Sequence, residues 1–269
     1  LSDKNIDIVY VATPTGLHYI QGIKVIGSNK HFWSEKPIVQ NSEQAYSLIS
    51  LANQKNLTIA EGFMYLHHPS FKFLKDSLNK GQLGKINNVT IDFGLPKLIR
   101  PGFRSDSNLG GGAIFDLGTY SISTIIELFG NEIIDIIYCE LNYEINSQID
   151  TSAIVLLKVN KNINVILRWA YNVAYKNEIN IWGDVSSVTN KRFFSKPINH
   201  TPEFNFTNLK GESFLEITNQ SNHFENMFNE FYGYIYNTLD SREHQEKILK
   251  RANLLDSLLE ININKPDGL

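Results

Sequence analysis

Over the first sixty residues, short apolar runs alternate with segments whose apolar positions recur at helical spacing. Ile6-Asp7-Ile8-Val9-Tyr10-Val11-Ala12 predicts a buried strand that ends at the turn Thr13-Pro14-Thr15-Gly16. Leu17, Ile20, Ile23 and Ile26 then predict a helix closed by Gly27, Ser28 and Asn29. His31-Phe32-Trp33-Ser34 reads as a second strand that stops at Glu35-Lys36-Pro37. Asn41 or Ser42 caps a helix to about Gln54, with Glu43 favouring its dipole, and Leu57-Thr58-Ile59-Ala60 is a third strand. This order requires right-handed crossovers and a parallel sheet, as in half of a doubly wound α/β fold.

After Gly62 the pattern changes. A helix is expected over 69–79, with Phe71, Leu74 and Leu78 inward, followed by a strand over 85–93 and a loop over 95–109. Gly110-Gly111-Gly112 opens a strongly apolar helix that runs to Leu128 or Phe129 and stops at Gly130. Strand-like runs follow at 133–140, 151–159, 164–171, 179–182 and 187–194, and two helical patterns fill 222–261. The expected fold is α/β: a partial Rossmann-type parallel sheet over 1–65, then an α+β domain over 66–269 with an open, mainly antiparallel sheet. No G-x-G-x-x-G stands between a strand and a helix, so a complete dinucleotide fold is expected to need another βαβ unit, roughly 30 residues, ahead of Leu1.

Composition removes several classes. Among 269 residues, 25 Lys+Arg against 28 Asp+Glu give a net charge of −3, which names no polyanionic partner. Lys247, Lys250 and Arg251 are too sparse for a nucleic-acid stripe, and no apolar run reaches the roughly 18 residues of a membrane helix. Cys139 is the only cysteine, which excludes an intrachain disulfide and a Cys-based zinc site and favours a cytoplasmic location. The start, Leu1-Ser2-Asp3-Lys4-Asn5, has no initiator Met and no signal-peptide order, and is read as a cut end.

Glu35-Lys36-Pro37 falls just past a parallel strand's carboxyl end, where open α/β sheets bind ligands. A lysine there can set a positive charge beside a substrate oxygen or lower a neighbouring acid's pKa; a surface lysine in a strand-ending turn would look the same. Asp116 and Tyr120, four apart on a helix, share a face and can point together at a bound molecule. Tyr120 can donate a proton to a carbonyl that receives hydride, given a cation such as Lys36 to draw its pKa toward neutrality; a core aromatic is the plainer alternative. Arg100 and Arg104 either grip a substrate phosphate or carboxylate or are solvent-exposed charges. His67 and His68 are adjacent and should point apart, so no metal site is assigned.

Asp7-Ile8-Val9-Tyr10-Val11-Ala12-Thr13-Pro14 with His18, then Glu35-Lys36-Pro37, then Gly110-Gly111-Gly112 leading to Asp116-Leu117-Gly118-Thr119-Tyr120, resemble the Gfo/Idh/MocA oxidoreductases in order and spacing. The resemblance implies an N-terminal Rossmann domain for NAD or NADP and a C-terminal domain whose open sheet mediates homo-oligomerisation. It implies that Lys36 is catalytic, that Ala12, Thr13, Pro14, His18, Glu35, Lys36 and Pro37 line the cofactor site, and that Arg104, Asp116 and Tyr120 meet substrate. Tyrosine at 120 is similar to the branch of glucose-fructose oxidoreductase, dihydrodiol dehydrogenase and nucleotide-sugar ketoreductases. There it exchanges a proton with a sugar, nucleotide-sugar or polyol substrate, while a lysine lowers its pKa. Leu66 stands where many relatives carry Arg, a departure that leaves a non-catalytic sugar- or cofactor-sensing protein as the alternative.

Overall fold

The computed structural model describes residues 1–100, 102–236 and 239–262; Pro101 of the expected loop and the end of the expected second domain lie outside them. Strands β1 (Ile8–Val11), β2 (His31–Glu35) and β3 (Ile59–Gly62) pair in parallel in that order. Helices α1 (His18–Gly27) and α2 (Ser42–Gln54) make the crossovers. Asn41 caps α2 as its sequence suggests, its side chain accepting the Gln44 N–H at 2.9 Å. Val25, Ile26, Phe32, Leu48 and Ile59 fill the core between sheet and helices. Parallel pairing delivers the segments after β1 and β2 to the same rim, and with them Thr13-Pro14 and Glu35-Lys36-Pro37.

The second sheet has eight strands. After α3 (Pro69–Asn79) come β4 (Ile86–Leu95), a π-helical turn at Ile114–Gly118 and α4 (Thr119–Phe129). Then follow β5 (Ile134–Tyr143), β6 (Asp150–Val159), β7 (Ile163–Tyr171), β8 (Lys176–Gly183), β9 (Ser186–Lys191), β10 (Glu203–Asn208) and β11 (Ser213–Ile217). Their spatial order is β11-β10-β9-β8-β4-β7-β6-β5, antiparallel throughout except for the parallel pair β4 and β7. Val155, Leu157, Val165, Leu167, Ile179 and Ile181 alternate onto one face and form its core with α4. The opposite face leaves Ile154, Trp182 and Leu215 exposed.

Helix α5 (His223–Ile235) packs against Trp33, and α6 (Arg242–Ile261) closes the seam between the sheets. Ile248 and Ala252 of α6 enter the first core while Leu254, Leu255 and Leu258 enter the second. Three local expectations need correction. The helix expected from the glycines onward begins as a π turn. The strand expected to reach Phe194 ends at Lys191, because Arg192 takes φ 71° and turns Phe193 and Phe194 into the core. Strands β10 and β11 lie outside the strand-like runs read from the sequence.

Candidate active site

Lys36, at the end of β2, reaches across the seam to the π turn. Its Nζ donates to the Asp116 backbone carbonyl at 2.6 Å and lies 3.3 Å from Asp116 Oδ1. The same ammonium sits 4.5 Å from the centroid of the Tyr120 ring, within cation–π range. Lys36, Asp116 and Tyr120, from segments eighty residues apart in sequence, therefore meet at one point.

Asp116 is the electrostatic hub. Arg104 Nε donates to Oδ2 at 2.6 Å, and the Tyr171 hydroxyl donates to the same oxygen at 3.1 Å. Burial works against the carboxylate, but Lys36 and Arg104 outweigh it and hold the group below the usual range. Asp116 is thus an anion held between two cations, Lys36 and Arg104. Tyr171 was not singled out in the sequence; it ends β7, the strand parallel to β4, and that parallel register is what carries it to the site.

Tyr120 departs from the expected behaviour. Its phenol is pushed up, first by burial and then by Asp116 and Glu35. Lys36 lies over the face of the ring and donates to Asp116 rather than to the phenol oxygen. The hydroxyl's partner is Met64 Sδ, a weak acceptor at 3.6 Å. The result is a phenol held toward its protonated form, with no strong acceptor of its own among the described residues.

At the ends of β1 and β2, His18 is buried with Nδ1 2.7 Å from the Pro37 carbonyl and Nε2 2.8 Å from the Thr13 carbonyl. One imidazole thereby clamps the two turns that follow β1 and β2. Thr13 Oγ1 donates to Gln21 Oε1 at 2.8 Å, and the Tyr10 hydroxyl donates to Glu35. Ala12 is exposed, while Thr13, Pro14 and Glu35 are half-buried along the same rim. These turns form a clamped, partly open rim beside Lys36. The chain contains no glycine fingerprint for the pyrophosphate.

The glycine triplet has a definite packing purpose. Gly110 takes φ 73°, and a Cβ there would stand 2.8 Å from the Gly16 nitrogen. Its turn thus rests directly on the turn that follows β1. Gly112, at φ 113°, faces Asp150, whose Oδ1 would lie 2.2 Å from a Cβ, and Asp150 Oδ2 accepts the Ile114 N–H at 2.8 Å to anchor the π turn. Burial pushes the Asp150 carboxyl up to about 7. Gly110→Ala should lower turnover by about tenfold or more, since it adds both left-handed strain and a backbone clash. Gly211→Ala is the control, with φ 80° and open space around it. Equal effects of the two substitutions would show that strain alone matters.

Among the remaining candidates, Arg100 is exposed and Arg104 joins the hub. His67 lies 3.0 Å from Glu230 while His68 caps α3 by accepting the Ser70 N–H, so the two rings do point apart. Leu66 is partly buried against the main core. Among the described residues no cluster of three metal-ligating side chains occurs, and no helix is long and apolar enough to cross a membrane.

Residues 1–63 match the oxidoreductase family model with NAD-binding Rossmann fold, and residues 71–189 match the GFO/IDH/MocA C-terminal domain. A dTDP-3,4-didehydro-2,6-dideoxy-alpha-D-glucose 3-reductase from Actinomadura kijaniata is 26% identical over 260 residues, 96% of this chain and 77% of that protein. The enzyme of the same name from Saccharopolyspora spinosa is 28% identical over 73% of this chain and 59% of its own length, so the match leaves much of that relative uncovered. A trans-1,2-dihydrobenzene-1,2-diol dehydrogenase from Xenopus laevis is 24% identical over 79% of the chain and 68% of its own length. The crystal structure of KijD10, a 3-ketoreductase from Actinomadura kijaniata in complex with NADP and TDP-benzene, has the same fold. Its TM-score is 0.92 at 24% identity, covering 97% of this chain and 79% of that one.

Proposed function

The chain belongs to the Gfo/Idh/MocA oxidoreductase family, and from that premise we propose that it is an NAD(P)-dependent reductase of a ketone on a sugar, nucleotide sugar or related polyol. The observation that carries this reading is the meeting of Lys36, Asp116 and Tyr120 at the rim of the parallel sheet. A reduced nicotinamide, when bound, would supply hydride to the carbonyl carbon. As the C–H bond forms, the carbonyl π electrons move to oxygen, and the Tyr120 phenol donates its proton there; solvent restores the phenol afterwards. A raised pKa suits this direction, because the donor is always protonated and the alkoxide it meets is more basic than a phenolate. Lys36, steered by Asp116, offers positive charge to the developing oxyanion.

Beyond Arg104 and Tyr171 a cleft continues past Lys97, Glu144, Thr151 and Asn172. Its two cations suit a phosphate-bearing substituent on the sugar, and the dTDP-sugar reductases among the relatives support that class. NADP is the favoured cofactor, in line with the dinucleotide held by KijD10. The open sheet face, with Ile154, Trp182, Leu215 and Ile217 at 39–62% exposure, is proposed to pair with a second copy of the chain. Sedimentation equilibrium reads that directly, a monomer at micromolar concentration counting against it.

The enzymatic reading is tested with purified protein, millimolar NADPH and a panel of dTDP-ketosugars. NADPH consumption that depends on the ketosugar supports it. Binding of either ligand with no consumption across the panel favours the sensor instead.

A further inference from the structure

Lys36 follows a strand of the first sheet and Tyr120 lies on α4, so their spacing depends on how that sheet is held against the helix. One side chain of α6 spans that seam. Arg251 is 6% exposed, and its Nε lies 2.8 Å and its Nη2 2.7 Å from Glu61 Oε2 on β3. Its Nη1 lies 3.2 Å from Glu127 Oε1 on α4. The other oxygen of Glu61 accepts the Ile38 N–H at 3.0 Å, one residue past Pro37. Glu127 stands two helical turns beyond Tyr120, and Lys247 donates to its second oxygen at 2.6 Å. The guanidinium also lies 5.2 Å from the Phe63 ring, which meets Tyr120 edge to face at 5.7 Å.

We propose that Arg251 is a positioning residue that sets the distance between Lys36 and Tyr120, acting through Glu61 and Ile38 on one side and Glu127 and α4 on the other. The inference rests on the reading of Lys36 and Tyr120 as the working pair. Buried ion clusters seldom out-stabilise a well-packed apolar core, because desolvation consumes most of the Coulombic gain. What they add is direction. A planar guanidinium fork with fixed donors holds two carboxylates in one geometry, which a hydrophobic contact of equal area does not.

The test reads lysine reactivity, not turnover. Wild type, Arg251→Lys and Glu127→Gln are labelled with limiting acetic anhydride, and modification of Lys36 is measured by peptide mass spectrometry relative to exposed Lys4. Lys30 is the internal control: it is buried just before β2, its Nζ donating to the carbonyls of Asp3 and Ile6, and a general loosening would release it too. Lys36 labelling should rise about fivefold or more in both variants, with Lys30 unchanged, as expected when only a coupled pair is disturbed. Unchanged Lys36 labelling, or a parallel rise in Lys30, overturns the proposal. If Arg251→Lys fails to fold, Glu127→Gln decides, since it leaves the Arg251–Glu61 and Lys247–Glu243 pairs in place. Absence of ketosugar reduction by the wild type would remove the functional assignment without altering what the labelling shows about spacing.

Discussion

Lys36→Met lowers ketosugar reduction about a thousandfold and Tyr120→Phe about a hundred- to a thousandfold, each with its melting temperature within a few degrees of wild type. Both substitutions should separate catalysis from stability, for reasons visible in the packing. The Tyr120 ring is wedged among Phe63, Phe93 and Phe194, contacts that phenylalanine keeps. The hydroxyl meets only the Met64 sulfur, so its loss leaves no strong partner stranded. Lys36 is 11% exposed at its side chain, and a methionine fills nearly the same volume. Asp116 would still receive Arg104 and Tyr171. Asp116→Asn should be milder, roughly tenfold, because Lys36 keeps the backbone carbonyl of residue 116 as its shorter contact. Single-turnover rates at saturating NADPH read all three; equal losses in every variant would point to a damaged site rather than to distinct roles.

Acid should destabilise the fold well before the surface carboxylates titrate. His68 and His223 are buried, their rings 5.8 Å apart. Burial, then Lys196, lowers His68 to about 3, with His223 and His200 adding to it; burial, then Lys196 and His67, lowers His223 to about 4. His244 is lowered to about 3 by burial and then by Arg251. The unfolded chain takes up these protons near its ordinary histidine pKa while the folded chain refuses them. Their stabilisation is therefore complete above that pKa and is lost as pH falls from about 6.5 toward 4. Asp150 acts in the opposite sense, since its folded pKa of about 7 lies above the unfolded value. The lowered histidines, His31 and His200 among them, outnumber the one raised carboxyl, so acid costs stability on balance, at roughly 1.4 kcal/mol per proton per pH unit. The melting temperature should fall by roughly 5 °C or more between pH 7 and pH 5. His223→Gln should flatten that slope by about one proton. A pH-independent melt over this range would mean that the imidazoles are hydrated in solution.

Much of the first sheet was legible because a parallel α/β unit repeats one signal. Val9 and Val11, Phe32 and Trp33, and Ile59 and Ala60 mark its strands, and Asn41 and the glycine-closed end of α1 mark its helix boundaries. The proximity of Lys36 to Asp116 and Tyr120 was legible from motif order, though not its geometry. An i, i+4 spacing implies one α-helical face, whereas Asp116 lies in a π turn that Asp150 anchors from 36 residues away. No local pattern encodes that tether. Tyr171 and Arg251 were hidden for the same reason: each reaches its partners by tertiary register, and its own neighbours in sequence look like an ordinary strand end and a solvated helix. The alternation Phe204-Asn205-Phe206 did carry a signal for β10 that went unread. Every residue of β11 is exposed, so its sequence has no buried face to announce.

Hydride transfer itself is the most direct thing to measure. The protein is incubated with NADPH carrying deuterium at the transferable C4 position and with a dTDP-ketosugar, and the sugar product is weighed by mass spectrometry. A single deuterium at the former carbonyl carbon, formed by wild type and absent with Lys36→Met and Tyr120→Phe over the same interval, is the predicted result. Product lacking deuterium, or label transferred as fast by both variants as by wild type, would contradict a redox site built from that lysine and that phenol.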